Sequence, residues 1–371
     1  MTNMTISVDE RLKKHTIQRI RRRILDWYAL YHRDLPWRRT KDPYAIWVSE
    51  IMLQQTQVDT VIPYFQRFID RFPSVEALAK ASLEEVLKVW ENMGYYTRAR
   101  HLHEAAREIL LRHHGRVPKS EEALRSLPGV GAYTAGAIRS LAFGERVPAV
   151  DGNVRRVLSR LCLITDPLEK PKTQKAIYDI AEAMVPERKA ADFNQGLMEL
   201  GALVCSPRDS SCSTCPVKAH CLALKHHKVD CVPVKSRKVV IPHKHMTAAV
   251  LNGKTGGRVL IVRRPLHGLL GGLWKFPGGE KRAGESFGDA LERTVAEEVG
   301  IVVDPGREIA SVKHAYTHFR VTMHAFPCHG KRGRPKALGC DQWKWIRPKE
   351  LQAYPFSKVD RKVMDAAGIA Y

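Results

Sequence analysis

Four cysteines, Cys205, Cys212, Cys215 and Cys221, fall in one short stretch with six, two and five residues between them. Four thiolates this close in sequence, in a loop that follows a helical segment, suit a single metal centre. Cys162, Cys231, Cys328 and Cys340 are scattered and read as plain thiols, which argues for a metal site over a disulfide framework. Zinc sites with four cysteine ligands usually pair two C-x-x-C knuckles across a longer gap, and this stretch holds only one. A cubane [4Fe-4S] cluster accommodates the uneven spacing, so an iron-sulfur centre is expected ahead of zinc. On such a loop Arg208 and Lys218 read either as phosphate contacts or as solvated surface charge.

The chain has 371 residues, more than one ordinary core usually holds, so two domains are expected. Its 61 Lys plus Arg against 39 Asp plus Glu give a formal charge of +22, which points to a polyanion, nucleic acid first. Seven tryptophans indicate packed cores rather than a basic tail. With no long apolar run and no secretory leader pattern, the reading is a cytoplasmic monomer, nucleoid-associated when bound to DNA, without a membrane partner. Residues 1–14 read as a flexible N-terminus and 15–224 as helical, with apolar residues at three- and four-residue spacing, for instance Val75 to Trp90 and Leu102 to Leu111. The Lys-, His-, Pro- and Val-rich stretch 225–245 reads as a linker. Residues 246–371 change texture: Thr247 to Leu251 and Val259 to Arg263 flank a Gly-rich turn, and Phe319 to Phe326 alternates, as antiparallel strands do. One amphipathic helix fits between Gly284 and Gly300. The fold class expected is therefore multidomain, an all-α part followed by an α+β part.

Three local patterns carry chemistry. Leu127-Pro128-Gly129-Val130-Gly131 separates two helical segments, and Gly129, Val130 and Gly131 would let backbone N–H groups at the second helix's start hold a DNA phosphate. Glycine turns between helices are common, so this pattern gains weight only beside the cysteine loop and the charge. Asp42-Pro43 predicts a helix start, along which Ile46, Trp47, Glu50 and Leu53 share a face. Glu50 interrupts that apolar stripe: it is either a desolvated acid with a raised pKa or a structural acid paired with an arginine, and the sequence leaves both open. Asp151 falls at the N-cap of a helix that begins near Val154, where the helix dipole favours its anion; taken alone it would read as a simple cap. As a pair, one carboxyl biased towards protonation and one towards the anion is what glycosidic bond cleavage needs.

Together, Trp47-Val48-Ser49-Glu50, Met52-Leu53-Gln54-Gln55-Thr56, Gly94-Tyr95-Tyr96 with Arg98, the hairpin with Tyr133, Val150-Asp151-Gly152-Asn153 and the four cysteines resemble the MutY adenine DNA glycosylases. The resemblance runs from about residue 16 to the C-terminus and implies a helix-hairpin-helix glycosylase domain, with its cluster loop at 205–221, joined to a Nudix-like domain. It further implies base excision repair of adenine mispaired with 8-oxoguanine or guanine in duplex DNA. Glu50 would protonate the departing adenine and later activate water, Asp151 would stabilise the oxocarbenium ion or form a transient covalent link, and Tyr133 and Asn153 would support them. Gln55 and Tyr95 would enter the base stack, and Trp37, Arg38, Leu53 and Gln195 would line the adenine pocket. Relatives with lyase activity carry lysine where Tyr133 stands, so this chain resembles the monofunctional branch.

In the second domain Gly279, Glu285, Arg293, Val295, Glu297, Glu298, Gly300 and Ile301 fit a Nudix box, except that Thr294 replaces a glutamate expected to help bind Mg²⁺ or act as base. The missing acid puts hydrolase activity in doubt, and Glu297 and Glu298 could simply solvate a helix face. Where the resembled family reads 8-oxoguanine with Phe-Ser-His, this chain has Tyr316, Thr317 and His318, which keep an aromatic ring and hydrogen-bonding groups.

Overall fold

The computed structural model describes residues 14–234, 241–253, 257–316 and 318–370. Two compact units emerge: residues 1–76 with 105–238, and residues 77–104 with 239–371. The second unit thus draws in a segment that the sequence reading assigned to the helical domain. Of the expected N-terminal arm, only Lys14 lies within the described residues, and it opens a helix.

In chain order the helices are α1 (Lys14–Tyr31), α2 (Pro43–Leu53), α3 (Val58–Arg71), α4 (Val75–Lys80), α5 (Leu83–Val89), α6 (Tyr96–Arg112), α7 (Glu121–Ser126), α8 (Ala132–Leu141), α9 (Gly152–Leu161), α10 (Pro171–Met184) and α11 (Ala190–Leu203). The helical pattern from Val75 to Trp90 is two helices rather than one. Ser82 caps Glu85 N–H while the Glu85 carboxylate returns to Ser82 N–H, a capping box that restarts the chain. The apolar stripes of α1, α9, α10 and α11 meet in one core that buries Ile20, Ile24, Leu158, Ile177, Phe193 and Leu200. Each such side chain contributes roughly 1.5–3 kcal/mol through burial.

The second unit carries β1 (His243–Leu251), β2 (Val259–Arg263), β3 (Trp274–Lys275), α12 (Phe287–Val299), β4 (Val302–Pro305), β5 (Ala310–Ala315), β6 (Arg320–Arg332), β7 (Gln342–Ile346) and α13 (Lys358–Ala366). β6 is central to one sheet, with β1, β4 and β5 paired to it, and β2 lies between β3 and β7 in the other. β1 and β2, which flank the Gly-rich turn, lie in different sheets, with an antiparallel bridge between Asn252 and Val259 at their junction. β1 runs parallel to β6, His243 opposite Arg320, which also makes residues 243–245 strand rather than linker. Residues 235–240 of the expected linker lie outside the described residues. The predicted amphipathic helix is α12, capped by Ser286 and closed by Gly300 at φ 70°.

Candidate active site

Helix α2 starts where the Asp-Pro pair predicts, with the Asp42 carboxylate accepting from Tyr44 N–H at 3.1 Å and Ala45 N–H at 3.2 Å. It is buried all round from Tyr44 to Met52, so Glu50 is only 4% exposed. The Tyr133 hydroxyl, from α8, donates to Glu50. Burial is the largest influence on Glu50 and lifts its pKa to about 7; the Tyr133 bond opposes this and the nearby Asp151 charge adds to it.

The choice between a desolvated acid and an arginine-paired one is resolved by another residue. Glu199 on α11, which the sequence reading missed, takes the arginines: Arg33 Nε and Nη2 donate to it at 2.9 and 2.8 Å, and Arg38 Nη1 and Nη2 at 3.1 and 2.8 Å. Burial would raise the Glu199 pKa, but the two guanidiniums draw it down to about 2. Its place four residues beyond Gln195, on the same helical face, was the available signal.

Asp151 is the N-cap of α9, accepting from Val154 N–H at 2.7 Å and from Asn153 Nδ2 at 2.8 Å. The helix end favours the anion, as expected, but it is not the only influence. Burial raises its pKa, against the opposing pull of those hydrogen bonds and of Arg156. Two close approaches hold this segment in place. A Cβ on Gly136 of α8 would lie 2.3 Å from the Pro148 carbonyl oxygen, and one on Gly201 of α11 would lie 2.6 Å from Asn153 Cβ. Only glycine allows both helices to press on the residues around Asp151.

One cavity of about 480 Å³ is lined by Trp37, Arg38, Glu50, Leu53, Gln55, Tyr133, Asp151, Asn153 and Gln195, so the structure brings together every first-unit residue expected at the base. Met198, whose sulfur lies 3.4 Å from the Tyr133 hydroxyl, also lines it. Gln55, at its rim, is exposed and holds φ 56°, a left-handed conformation unusual for glutamine. Tyr95 shares that trait at φ 49° and is 40% exposed, but belongs to the second unit.

In the hairpin, Leu127 and Val130 are buried and Gly129 adopts φ 76°. Gly131 caps α8 without a side-chain hydrogen bond and faces open space, leaving the helix's first N–H groups uncapped by any side chain. The four cysteines of the loop are free thiols lining one small cavity with Arg160 and Lys218. Arg160 Nη1 lies 3.3 Å from Cys205 Sγ, and Arg156 Nε donates to the Cys205 carbonyl at 2.7 Å. Among the described residues no three His, Cys, Asp or Glu side chains converge on a single ion position.

In the second unit, every retained Nudix-box glutamate faces a cation. Glu298 accepts from Lys275 Nζ at 2.8 Å and Gly278 N–H at 3.0 Å, both in a buried setting, so it does not solvate a helix face. Glu285 binds Arg293 at 2.6 Å, and Arg293 with the Arg282 N–H holds it down to about 2. Glu297 pairs with Arg293 at 3.0 Å. Thr294 is buried and bonds the Leu291 carbonyl. Of the expected base reader, His318 is exposed, Tyr316 packs against Phe319 with ring centroids 4.8 Å apart, and Thr317 lies outside the described residues.

Residues 48–184 match the helix-hairpin-helix superfamily of base excision DNA repair proteins, and residues 246–366 match the NUDIX domain. The adenine DNA glycosylase of Rattus norvegicus is 34% identical over 92% of this chain and 77% of its own length. Those of Homo sapiens and Schizosaccharomyces pombe are 33% and 30% identical, over 72% and 86% of their own lengths. Among solved structures, a thermostable thymine-DNA glycosylase aligns with 57% of this chain and 97% of its own at 33% identity and TM-score 0.51. A trapped endonuclease III–DNA intermediate, at 22% identity and TM-score 0.50, shares the fold of the helical part. No helix among the described residues is long and apolar enough to cross a membrane. Relatives at 30–34% identity that align with more than nine-tenths of this chain and with over two thirds of their own lengths all bear one description, and with them the chain belongs to the adenine DNA glycosylases.

Proposed function

We propose that this enzyme hydrolyses the N-glycosidic bond of adenine mispaired with 8-oxoguanine or guanine in duplex DNA. The observation that carries the reading is Glu50: a buried carboxyl with no hydrogen-bonded arginine, near Asp151 in a cavity sized for a base. Extrusion of the adenine is physically required, since the bond lies out of reach inside a duplex, and mispairing lowers the cost. Protonated Glu50 gives its proton to N7 of the adenine as the C1′–N9 bond breaks and the bonding pair leaves with the base. Asp151, held by Val154 N–H and Asn153, stabilises the positive charge left on the sugar. Glu50, now anionic, takes a proton from the water that attacks C1′, leaving adenine and an abasic site. Tyr133 orients Glu50, and Trp37, Arg38, Leu53 and Gln195 line the pocket.

Gln55 and Tyr95 fit the role of wedges, since both are exposed and held in strained backbone that rigid surroundings must maintain. The uncapped N–H groups after Gly131 suit a DNA phosphate. Cys205, Cys212, Cys215 and Cys221 fit a [4Fe-4S] cluster: four free thiols ring one cavity without closing on a single ion, as zinc with sulfur at about 2.3 Å would require. Bound there, the cluster would cross-link the loop that Arg156 and Arg160 grip. Tyr316, Thr317 and His318 would read 8-oxoguanine, while cation pairing leaves the Nudix-box carboxylates unsuited to Mg²⁺. Single-turnover adenine release from duplexes holding adenine opposite 8-oxoguanine, guanine or thymine tests the reading. Release from the first two, lost in Glu50→Gln and Asp151→Asn, is expected; equal release opposite thymine would remove the mispair assignment.

A further inference from the structure

At the C-terminal end of β6 the second unit gathers cations that no carboxylate neutralises. A cavity of about 550 Å³ there is lined by Arg258, Lys331, Arg332, Arg334 and Trp345, with no Asp or Glu among the described residues around it. Lys331 pairs with Asp304 at 3.1 Å, whereas Arg258, Arg332 and Arg334 are exposed and make no ion pair among the described residues. Elsewhere in the unit Arg264, Arg293 and Arg361 each meet a carboxylate. Three guanidiniums left around one hollow repel one another and add nothing to the fold, so their grouping calls for an external anion.

The hollow is built from fixed elements. Val302 pairs with Arg332 and Val303 with Gly330, so Lys331 is an extra residue on β6, a bulge of the kind that bends a strand and re-aims its side chains. Gly333, between two of the arginines, holds φ 104°, and a Cβ there would lie 2.7 Å from the Gly300 carbonyl oxygen. Only glycine lets this turn seat against the end of α12. Lys336 N–H donates to Val299 C=O at 2.9 Å and Leu338 N–H to Glu298 C=O at 3.1 Å, satisfying the helix's last carbonyls. Gly253 N–H donates to Arg258 C=O at 2.8 Å and ties Arg258 to the end of β1. A Cβ on Gly253 would lie 3.4 Å from the Trp345 ring, which packs against the core.

Guanidinium forks match phosphate oxygens, and an indole wall suits the sugar or base beside them. The formal charge of +22 and membership among the DNA glycosylases make duplex DNA the polyanion to expect. β6 spans 13 residues, about 40 Å of strand, so this hollow is separate from Tyr316 and His318, which precede the strand's other end. We propose that Arg258, Arg332 and Arg334 form a further phosphate-binding site, which holds the backbone of duplex DNA without reading sequence or lesion. Undamaged duplex occupies it as readily as a mispair does, so the site stands apart from the mispair assignment.

The test is binding of the full-length protein to an undamaged fluorescent duplex over a range of salt. Each of Arg258→Gln, Arg332→Gln and Arg334→Gln is expected to flatten the dependence of log affinity on log salt by about 0.9, the loss of one phosphate contact. Arg332→Lys, which keeps the charge, should retain the parent slope. So should Lys349→Gln, an equal loss of charge on an exposed residue outside the hollow. Unchanged thermal melting shows that each variant is folded, and misfolding of one leaves two others to decide. Parent slopes in the glutamine variants would overturn the site. An equal flattening in Lys349→Gln would do the same, by reducing the effect to overall charge. Binding of a free deoxynucleoside triphosphate that is lost in Arg332→Gln, with duplex binding untouched, would give the cations to a small ligand and remove the duplex. A parent that releases no adenine would sink the base-excision reading and leave these slopes to be judged on their own.

Discussion

Glu50 in the first unit and the glutamates of the Nudix box in the second are the same residue type put to opposite uses. Glu50 is sealed among apolar helix faces, receives one neutral hydroxyl, and reaches a pKa of about 7. Glu285 and Glu298 lie against Arg293 and Lys275, and Glu285 is driven down to about 2. A carboxyl left without a cation can hold and release a proton near neutrality; one given an internal cation becomes a structural tie. Glu199 makes the same point within the cavity itself, since by engaging Arg33 and Arg38 it keeps Glu50 free of a hydrogen-bonded arginine.

The comparison breaks most readily at the proton. Glu50→Gln should slow adenine release on the order of 10³-fold, the scale of general acid catalysis, with DNA binding retained; a fall under tenfold would mean another group protonates the base. Lys275→Met should cost about 3–5 kcal/mol in the second unit, because Glu298 stays buried without its partner, and calorimetry of the full chain would register the loss. Glu199→Gln is expected to lower stability by about 2–3 kcal/mol through weakened charged hydrogen bonds and, by releasing Arg38 towards Glu50, to favour the Glu50 anion at lower pH. The pH profile sharpens this. Because the active form of Glu50 is protonated and its pKa is raised to about 7, single-turnover release should hold below that value and fall tenfold per unit above it. The limb should move to lower pH in Glu199→Gln. Smallest of all, Thr294→Glu should yield no Mg²⁺-dependent hydrolysis of 8-oxo-dGTP, since restoring one acid leaves Glu298 tied to Lys275.

Local signals in the sequence reached a long way. Asp42-Pro43, Asp151 and the glycine hairpin mark helix starts, and the structure has those starts. What the sequence left open was who pairs with whom. Arg33, Arg38 and Glu199 are separated by some 160 residues, and only tertiary packing chooses Glu199 over Glu50. The effect of burial on Asp151 was out of reach for a related reason: a cap is a local feature, whereas the burial that raises its pKa belongs to the finished fold. Likewise, the sequence pattern marks strand at 247–251 and 319–326, but not that these strands extend over 243–251 and 320–332 or that the first two strands join different sheets. Residues 77–104 read as part of a helical domain because they are helical, and periodicity says nothing about which unit they pack with.

The contact between Gly136 and the Pro148 carbonyl has a last consequence. Tyr133, which orients one carboxyl, stands one helical turn before Gly136, and Asp151 lies three residues after Pro148, so the separation of donor and anion is gauged by the thickness of a missing methyl group. A single alanine there would leave each acid chemically intact and simply hold them too far apart, a lesion visible to kinetics and silent to any inspection of the catalytic side chains.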